Sequence, residues 1–153
     1  MSQENAECEL YDPGRLVDGD LELVVDETRS ADAEIGQVPQ YRFTMRLVGG
    51  GVTVGRVVLR IRCTERLKRY GGNLSYDVLE EYRGNRYAAR GCRLLFPLAR
   101  LHGLDCLLIT CRGDNEASKK TCELMGATYV DTIETEREPG EFGPTCRYRV
   151  ELG

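Results

Sequence analysis

The sequence predicts an α/β (α+β) protein: a mixed, mostly antiparallel central sheet of about six to seven strands flanked by helices. Three observations carry that prediction. Residues 41–48 and 52–63 alternate apolar and polar side chains with period two around Gly49-Gly50-Gly51, the pattern of an antiparallel hairpin. From residue 74 the chain reads strand, helix, strand, helix, strand, with turn residues between them. It then closes on a final strand. At 153 residues, 41% hydrophobic and 30% charged, the chain is read as one domain, 1–153, long enough to bury a full core.

Taken in order, residues 1–19 carry Pro13, Gly14 and Gly19 among charges and read as an irregular lead-in. Residues 21–25 (Leu-Glu-Leu-Val-Val) form a short first strand. Residues 26–39 are polar, contain Gly36 and Pro39, and have room for one short helical turn at most. The hairpin follows, with Arg56, Arg60 and Arg62 along one face of its second strand as a solvated row. Residues 64–70 are a short helix or loop, broken by Gly71-Gly72. Leu74, Tyr76 and Val78 alternate in the next strand. Residues 86–102 have helical spacing (Tyr87, Gly91, Leu95, Leu98), a kink expected at Pro97, and Gly103 as the cap. Residues 106–111 are a continuous apolar run, expected to be a strand buried on both faces. Asp114 or Asn115 caps a second helix that stops at Gly126. Residues 129–134 and 146–152 are strands joined by a charged loop, 137–145.

Composition narrows the function classes. A net charge of −4 supplies no basic field to draw the chain to nucleic acid or a membrane surface. No apolar run reaches membrane-span length. The first residues are polar and acidic, unlike a secretory signal. The seven cysteines (8, 63, 92, 106, 111, 122, 146) are irregularly spaced, contain no Cys-x-x-Cys, and share the chain with a single histidine, His102. Neither a zinc site nor a closed disulfide framework fits. Small, reduced, buried thiols in a cytoplasmic protein are the expectation, with no metal. His102 suits a helix C-terminus. Arg112-Gly113-Asp114 spells an adhesion tripeptide but fits a plain turn before a helix.

The segment with most chemistry is Tyr82-Arg83-Gly84-Asn85-Arg86-Tyr87-Ala88-Ala89. A Gly-containing turn feeding a helix presents free backbone N–H groups and a partial positive charge, a ready phosphate site. This stretch resembles the pyrophosphate loop of the GNAT N-acetyltransferases, which typically reads Arg/Gln-x-x-Gly-x-Gly/Ala. Here it is Arg83-x-x-Arg86-x-Ala88, without the middle glycine and with Gly84 two residues earlier. The helix from Asn115 carries a second resemblance. Family members often show Asn-x-x-Ala/Ser, then Tyr, then Glu-x-x-Gly-Phe. Asn115, Ser118, Glu123 and Gly126 keep that register, with Cys122 in the tyrosine position and Ala127 in that of the phenylalanine. Both motifs fall in the family's order within residues 72–129.

The resemblance implies the acyl-CoA N-acyltransferase fold and an N-acetyltransferase that passes an acetyl group from acetyl-CoA to the primary amine of an acceptor. It implies that the strand with Tyr76, Asp77 and Val78 offers backbone groups to the pantetheine arm. Splaying of that strand from residues 106–111 would form the slot. Arg83, Gly84, Asn85, Arg86, Tyr87 and Ala88 would hold the pyrophosphate, and Asn115 would reach the arm from the far side. Each residue also has a plainer reading. Arg86 either adds charge to a phosphate site or crowds it; a right-handed backbone there would not require glycine. Arg83 is a phosphate contact or a solvated charge. Asn115 is a cofactor contact, a helix cap, or both. Cys122 is the acid that reprotonates the CoA thiolate, or a small buried helix residue. Tyr76 faces the cleft as a donor or packs in the core. Asp77, Glu80, Glu81 and Glu65 are the carboxylates within reach as bases, and surface charge explains them equally.

Residues 26–40 stand where the family shapes its acceptor pocket. Their brevity suggests an open site for a bulky or peptide-like acceptor, or one completed by a partner chain such as a homodimer mate. Loop 137–145, with Glu136, Glu138 and Glu141 in or beside it, would favour a cationic amine. A non-catalytic acyl-CoA-binding module and an RNA- or ribosome-associated domain are the rival readings.

Overall fold

The computed structural model describes residues 9–153. The start of the predicted lead-in, residues 1–8 with Cys8, lies outside them. Eight strands form two sheets rather than one. The first sheet holds β1 (Leu16–Asp18), β2 (Leu21–Arg29), β3 (Gln40–Leu47), β4 (Thr53–Arg60) and β5 (Leu74–Val78), in that order and antiparallel throughout. The second holds β6 (Cys106–Arg112) and β7 (Thr128–Glu138) on either side of β8 (Glu141–Glu151). The helices are α1 (Glu65–Arg69), α2 (Tyr87–Leu94), α3 (Phe96–Leu101) and α4 (Glu116–Leu124). None of them is long and apolar enough to cross a membrane.

Period two does what the sequence promised in β3 and β4. Tyr41, Phe43 and Met45 are buried beside Val57 and Leu59, opposite Leu21 and Leu23 of β2. Burying one such side chain contributes about 2 kcal/mol. Helix α2 lies on this face through small residues. A Cβ on Gly91 would stand 2.8 Å from the Met45 sulfur, so glycine sets how closely helix and sheet approach. Leu107, Ile109, Tyr148, Val150, Cys122 and Met125 continue the same core under the second sheet.

Several expectations need correction. The lead-in is not wholly irregular: residues 16–18 pair with 21–23 as β1, because Gly19 turns the chain with φ +59°. β2 extends past residue 25 to Arg29 through a bulge, so the polar connection shrinks to residues 30–39 and its single turn, Ala33–Ile35. The helix over 86–102 is two helices. Proline has no N–H to donate, so Pro97 sits in the first turn of a new helix and α2 ends before it. Residues 137–145 are not a loop but the tip of the β7–β8 hairpin, turning at Gly140. Charges on an exposed strand pair hid its alternation. β6 buries Leu107, Ile109 and Cys111 but leaves Cys106, Leu108 and Thr110 partly open, since core packs on one face only.

One seam joins the two sheets. Gly72 (φ +61°) passes so close to β6 that a Cβ would stand 2.3 Å from the Leu108 carbonyl oxygen. The Asn73 N–H donates to the Leu108 carbonyl (2.7 Å), and the Leu108 N–H donates to Asn73 Oδ1 (2.8 Å). Asn73 Nδ2 also donates to the Arg60 carbonyl (2.9 Å). Beyond Asn73 no ladder joins β5 to β6, and the two strands part.

Candidate active site

The parted strands open a cleft of about 640 Å³ between β5, the turn into α2, and α4. It is lined by Tyr76, Asp77, Val78, Arg83, Gly84, Arg86, Tyr87, Ala88 and Asn115, residues picked from the sequence. Asn85 belongs to the same turn but does not line the cleft; its Nδ2 donates back to the Tyr82 carbonyl (3.0 Å).

The turn into α2 differs from the right-handed backbone considered for Arg86. Arg86 is left-handed, φ 62° and ψ 20°, and is the only non-glycine residue with positive φ among the described residues. That conformation costs a side-chain-bearing residue about 1 kcal/mol or more and favours glycine. The strain is held by its neighbours. The Arg86 carbonyl accepts from the Arg90 N–H (3.0 Å), and the Arg90 guanidinium ties α2 to Asp18 (2.9 Å) and Asp20 (2.7 Å). No side chain caps this helix start, so its first N–H groups remain for another acceptor. Arg86 is exposed, Arg83 Nε donates to the Val78 carbonyl (3.1 Å), and Lys120 of α4 faces them across the cleft. Lys120 escaped the sequence reading, since only the packing of α4 against β6 brings it to the cleft.

Asn115 caps α4, its Oδ1 accepting from the Ser118 N–H (3.0 Å), and it also lines the cleft. A second cleft, about 240 Å³, lies nearer the seam and shares Tyr76, Asn115 and Ser118 with the first. At this junction Tyr76 Oη sits 2.8 Å from Ser118 Oγ and 3.6 Å from Cys122 Sγ. Burial pushes the Tyr76 phenol far above its ordinary range, so it stays protonated. Cys122 is fully buried beneath the cleft, and its thiol, hydrogen-bonded to Cys111 and desolvated, is also pushed far up. Its burial in α4 matches the plainer reading, a small buried helix residue. Cys111 lines the smaller cleft. Hydrogen bonds from Cys122 and Ser118, with the charge of Lys119, bring its thiol down to about 7.

The carboxylates are less engaged. Asp77 lines the larger cleft but is exposed, as are Glu80 and Glu81 on the 3₁₀ turn between β5 and α2; Glu65 pairs with Lys68 (3.0 Å). His102 follows α3 as expected, with Nε2 2.6 Å from Tyr41 Oη, a core contact away from the cleft. Arg60 is not part of a solvated row: it folds over Ser75 Oγ (2.8 Å), and burial lowers its pKa. The Gly113 N–H of the Arg-Gly-Asp tripeptide donates to the Pro144 carbonyl, fixing a turn before α4.

No protein-family profile matches the chain, and no curated protein matches it in sequence. Solved structures do match in fold. A GNAT-family acetyltransferase from Bacillus anthracis is 16% identical, with a TM-score of 0.60 over 72% of this chain and 66% of its own. RimL, a ribosomal-protein α-N-acetyltransferase solved with coenzyme A, is 13% identical, with a TM-score of 0.67 over 90% of this chain and 97% of its own. The microcin self-immunity acetyltransferase MccE, solved with acetyl-CoA and AMP, is 16% identical, with a TM-score of 0.59 over 73% of this chain and 61% of its own. The chain thus spans under two thirds of the Bacillus anthracis and microcin proteins and nearly all of RimL. The fold is that of the GNAT acetyltransferases.

Proposed function

We propose that this protein is an acetyl-CoA-dependent N-acetyltransferase acting on a primary amine. One observation carries the reading: an uncapped helix start, flanked by Arg83, Arg86 and Lys120, opens onto the slot left where β5 leaves β6. Backbone N–H groups and cations in that arrangement suit a pyrophosphate. The β5 edge freed from β6 suits an extended amide-bearing arm, and Asn115 stands opposite.

In this reading catalysis rests on positioning and on oriented donors rather than on a strong acid or base. Tyr76, kept protonated and turned toward Ser118, donates a hydrogen bond to the departing thiolate. Asp77, exposed at the cleft, accepts the amine proton directly or through water. The acceptor side is open, because only residues 30–39 link β2 to β3. The glutamates of the β7–β8 hairpin, among them Glu136, Glu138 and Glu141, give that side a negative field for a cationic amine. The exposure of Asp77, the carboxylate that lines the larger cleft, favours a second reading, a non-catalytic acyl-CoA-binding module with the same fold.

Isothermal titration with acetyl-CoA tests the reading. Micromolar binding, weakened in Arg86→Gly, is the expected result. No binding by either protein removes the acyltransferase reading. Binding without acetylation of any of a panel of amines selects the second reading.

A further inference from the structure

The smaller cleft continues the larger one but differs from it in size and charge. Tyr76, Asn115 and Ser118 border both, so the larger cleft leads past the Tyr76–Ser118 contact (2.8 Å) into the smaller. Acetyl-CoA filling the larger cleft would end at that contact and leave the smaller one to an acceptor. At about 240 Å³ the smaller cleft falls below the roughly 300–1,000 Å³ of sites for drug-sized ligands, so it suits a small molecule.

Its charge points to the kind of molecule. Hydroxyl groups, among them those of Tyr70, Ser75 and Thr110, line it. Among the described residues no carboxylate does, and Arg112 is its one charged side chain. Arg112 is exposed, and its ion pair with Glu141 is 3.7 Å long, with the two side chains 45% and 58% open to water. Such a pair is weak, and an incoming carboxylate can take the forked donors of the guanidinium in its place. A second cation stands behind the wall. Arg60 Nη1 donates to Ser75 Oγ (2.8 Å) and, at 3.4 Å, to the Gly71 and Gly72 carbonyls. No carboxylate pairs with Arg60 among the described residues. Its diagonal neighbour on the same face of the sheet is another cation, Arg42, since Arg42 stands opposite Val58. A half-buried guanidinium without a counter-ion biases the cleft toward an anion.

We propose that the acceptor is a free amino acid, its carboxylate held by Arg112 in the smaller cleft and its amine at the Tyr76–Ser118 contact. The inference rests on the acetyl-CoA reading above and names the acceptor. An amino acid carries both charges, so its amine still answers to the glutamates of the β7–β8 hairpin. The deprotonated amine attacks the thioester carbonyl. A carbon–nitrogen bond forms, the carbon–sulfur bond breaks, and its electron pair leaves on the CoA sulfur, which accepts the hydrogen bond from Tyr76. The amine proton passes to Asp77 or to water.

Matched acceptors test the proposal on the full chain. Titration calorimetry first establishes that acetyl-CoA binds. Release of CoA is then followed with the full set of standard amino acids and with the carboxamide and the decarboxylated amine of each, and N-acetylation is checked by mass. At least one amino acid is expected to exceed both of its uncharged-ended partners by about tenfold in kcat/KM. Arg112→Gln should lower kcat/KM for that amino acid by about tenfold, mainly through KM, and erase its advantage over the carboxamide. Acetyl-CoA affinity should stay within about twofold of the parent. Arg112→Lys should restore part of the advantage, because the charge returns without the fork. Equal turnover of acids and carboxamides, or acetylation confined to the decarboxylated amines or to peptide N-termini, overturns the amino-acid acceptor and leaves the acetyltransferase reading standing. Acetyl-CoA binding with no amine turned over overturns the acceptor and selects the non-catalytic module. No acetyl-CoA binding overturns both readings of the cleft.

Discussion

Helices α2 and α4 both begin on the wall of the larger cleft, but their first turns are built differently. α4 starts with Asn115, whose side chain accepts from the Ser118 N–H and closes the turn. α2 starts with Arg86 in a left-handed conformation and no side-chain cap. A capped start is satisfied within the chain and contributes stability. An uncapped start, held by a strained residue and ringed with cations, leaves donors for a ligand. The same local device, a helix N-terminus, is thus closed by its own side chain at one wall and left without a side-chain cap at the other.

Variants can break that contrast. The largest effect is expected from Arg86→Val, because a β-branched residue tolerates positive φ worst. Urea denaturation should show a loss of about 2 kcal/mol, and acetyl-CoA binding should fall with it as the turn shifts. A thermal or urea melt of Asn115→Ala should show a loss of about 1 kcal/mol, with acetyl-CoA affinity within about twofold of the parent. A larger loss of affinity would show Asn115 acting as a ligand contact beyond its capping role. Arg86→Gly sharpens the contrast from the other side. Relief of the left-handed strain should leave stability level or raise it by about 0.5 kcal/mol, while removal of the guanidinium weakens acetyl-CoA binding by about fivefold. Lys120→Ala should have the smallest effect: unchanged stability and about twofold weaker binding, fading at high salt because the charge is solvent-exposed.

Much of the fold could be read directly. The β3–β4 hairpin was legible because Tyr41, Phe43 and Met45 alternate cleanly before three glycines. α4 was legible because a capping Asn precedes it and a glycine follows. Of the β7–β8 hairpin the strands at 129–134 and 146–152 were legible but the tip was not: its charged and small residues leave no apolar alternation to mark it. The candidate site divides in the same way. The turn from Arg83 to Ala88 announced itself through residue type and order. Lys120 did not, because it looks ordinary within its own helix and gains meaning only from the element opposite.

The sequence by itself determined the order of strands and helices, the hairpins and caps that are set by neighbouring residues, and the place of the phosphate-like turn. These depend on contacts a few residues apart. The tertiary structure decided where β5 leaves β6, whether Arg86 is left-handed, and that Tyr76 meets Ser118 and Cys122. Those outcomes depend on long-range closures: Gly72 against Leu108, Arg90 across to Asp18 and Asp20, and α4 folded back beside β6. Local propensity carries no information about such contacts until the sheets close around one core.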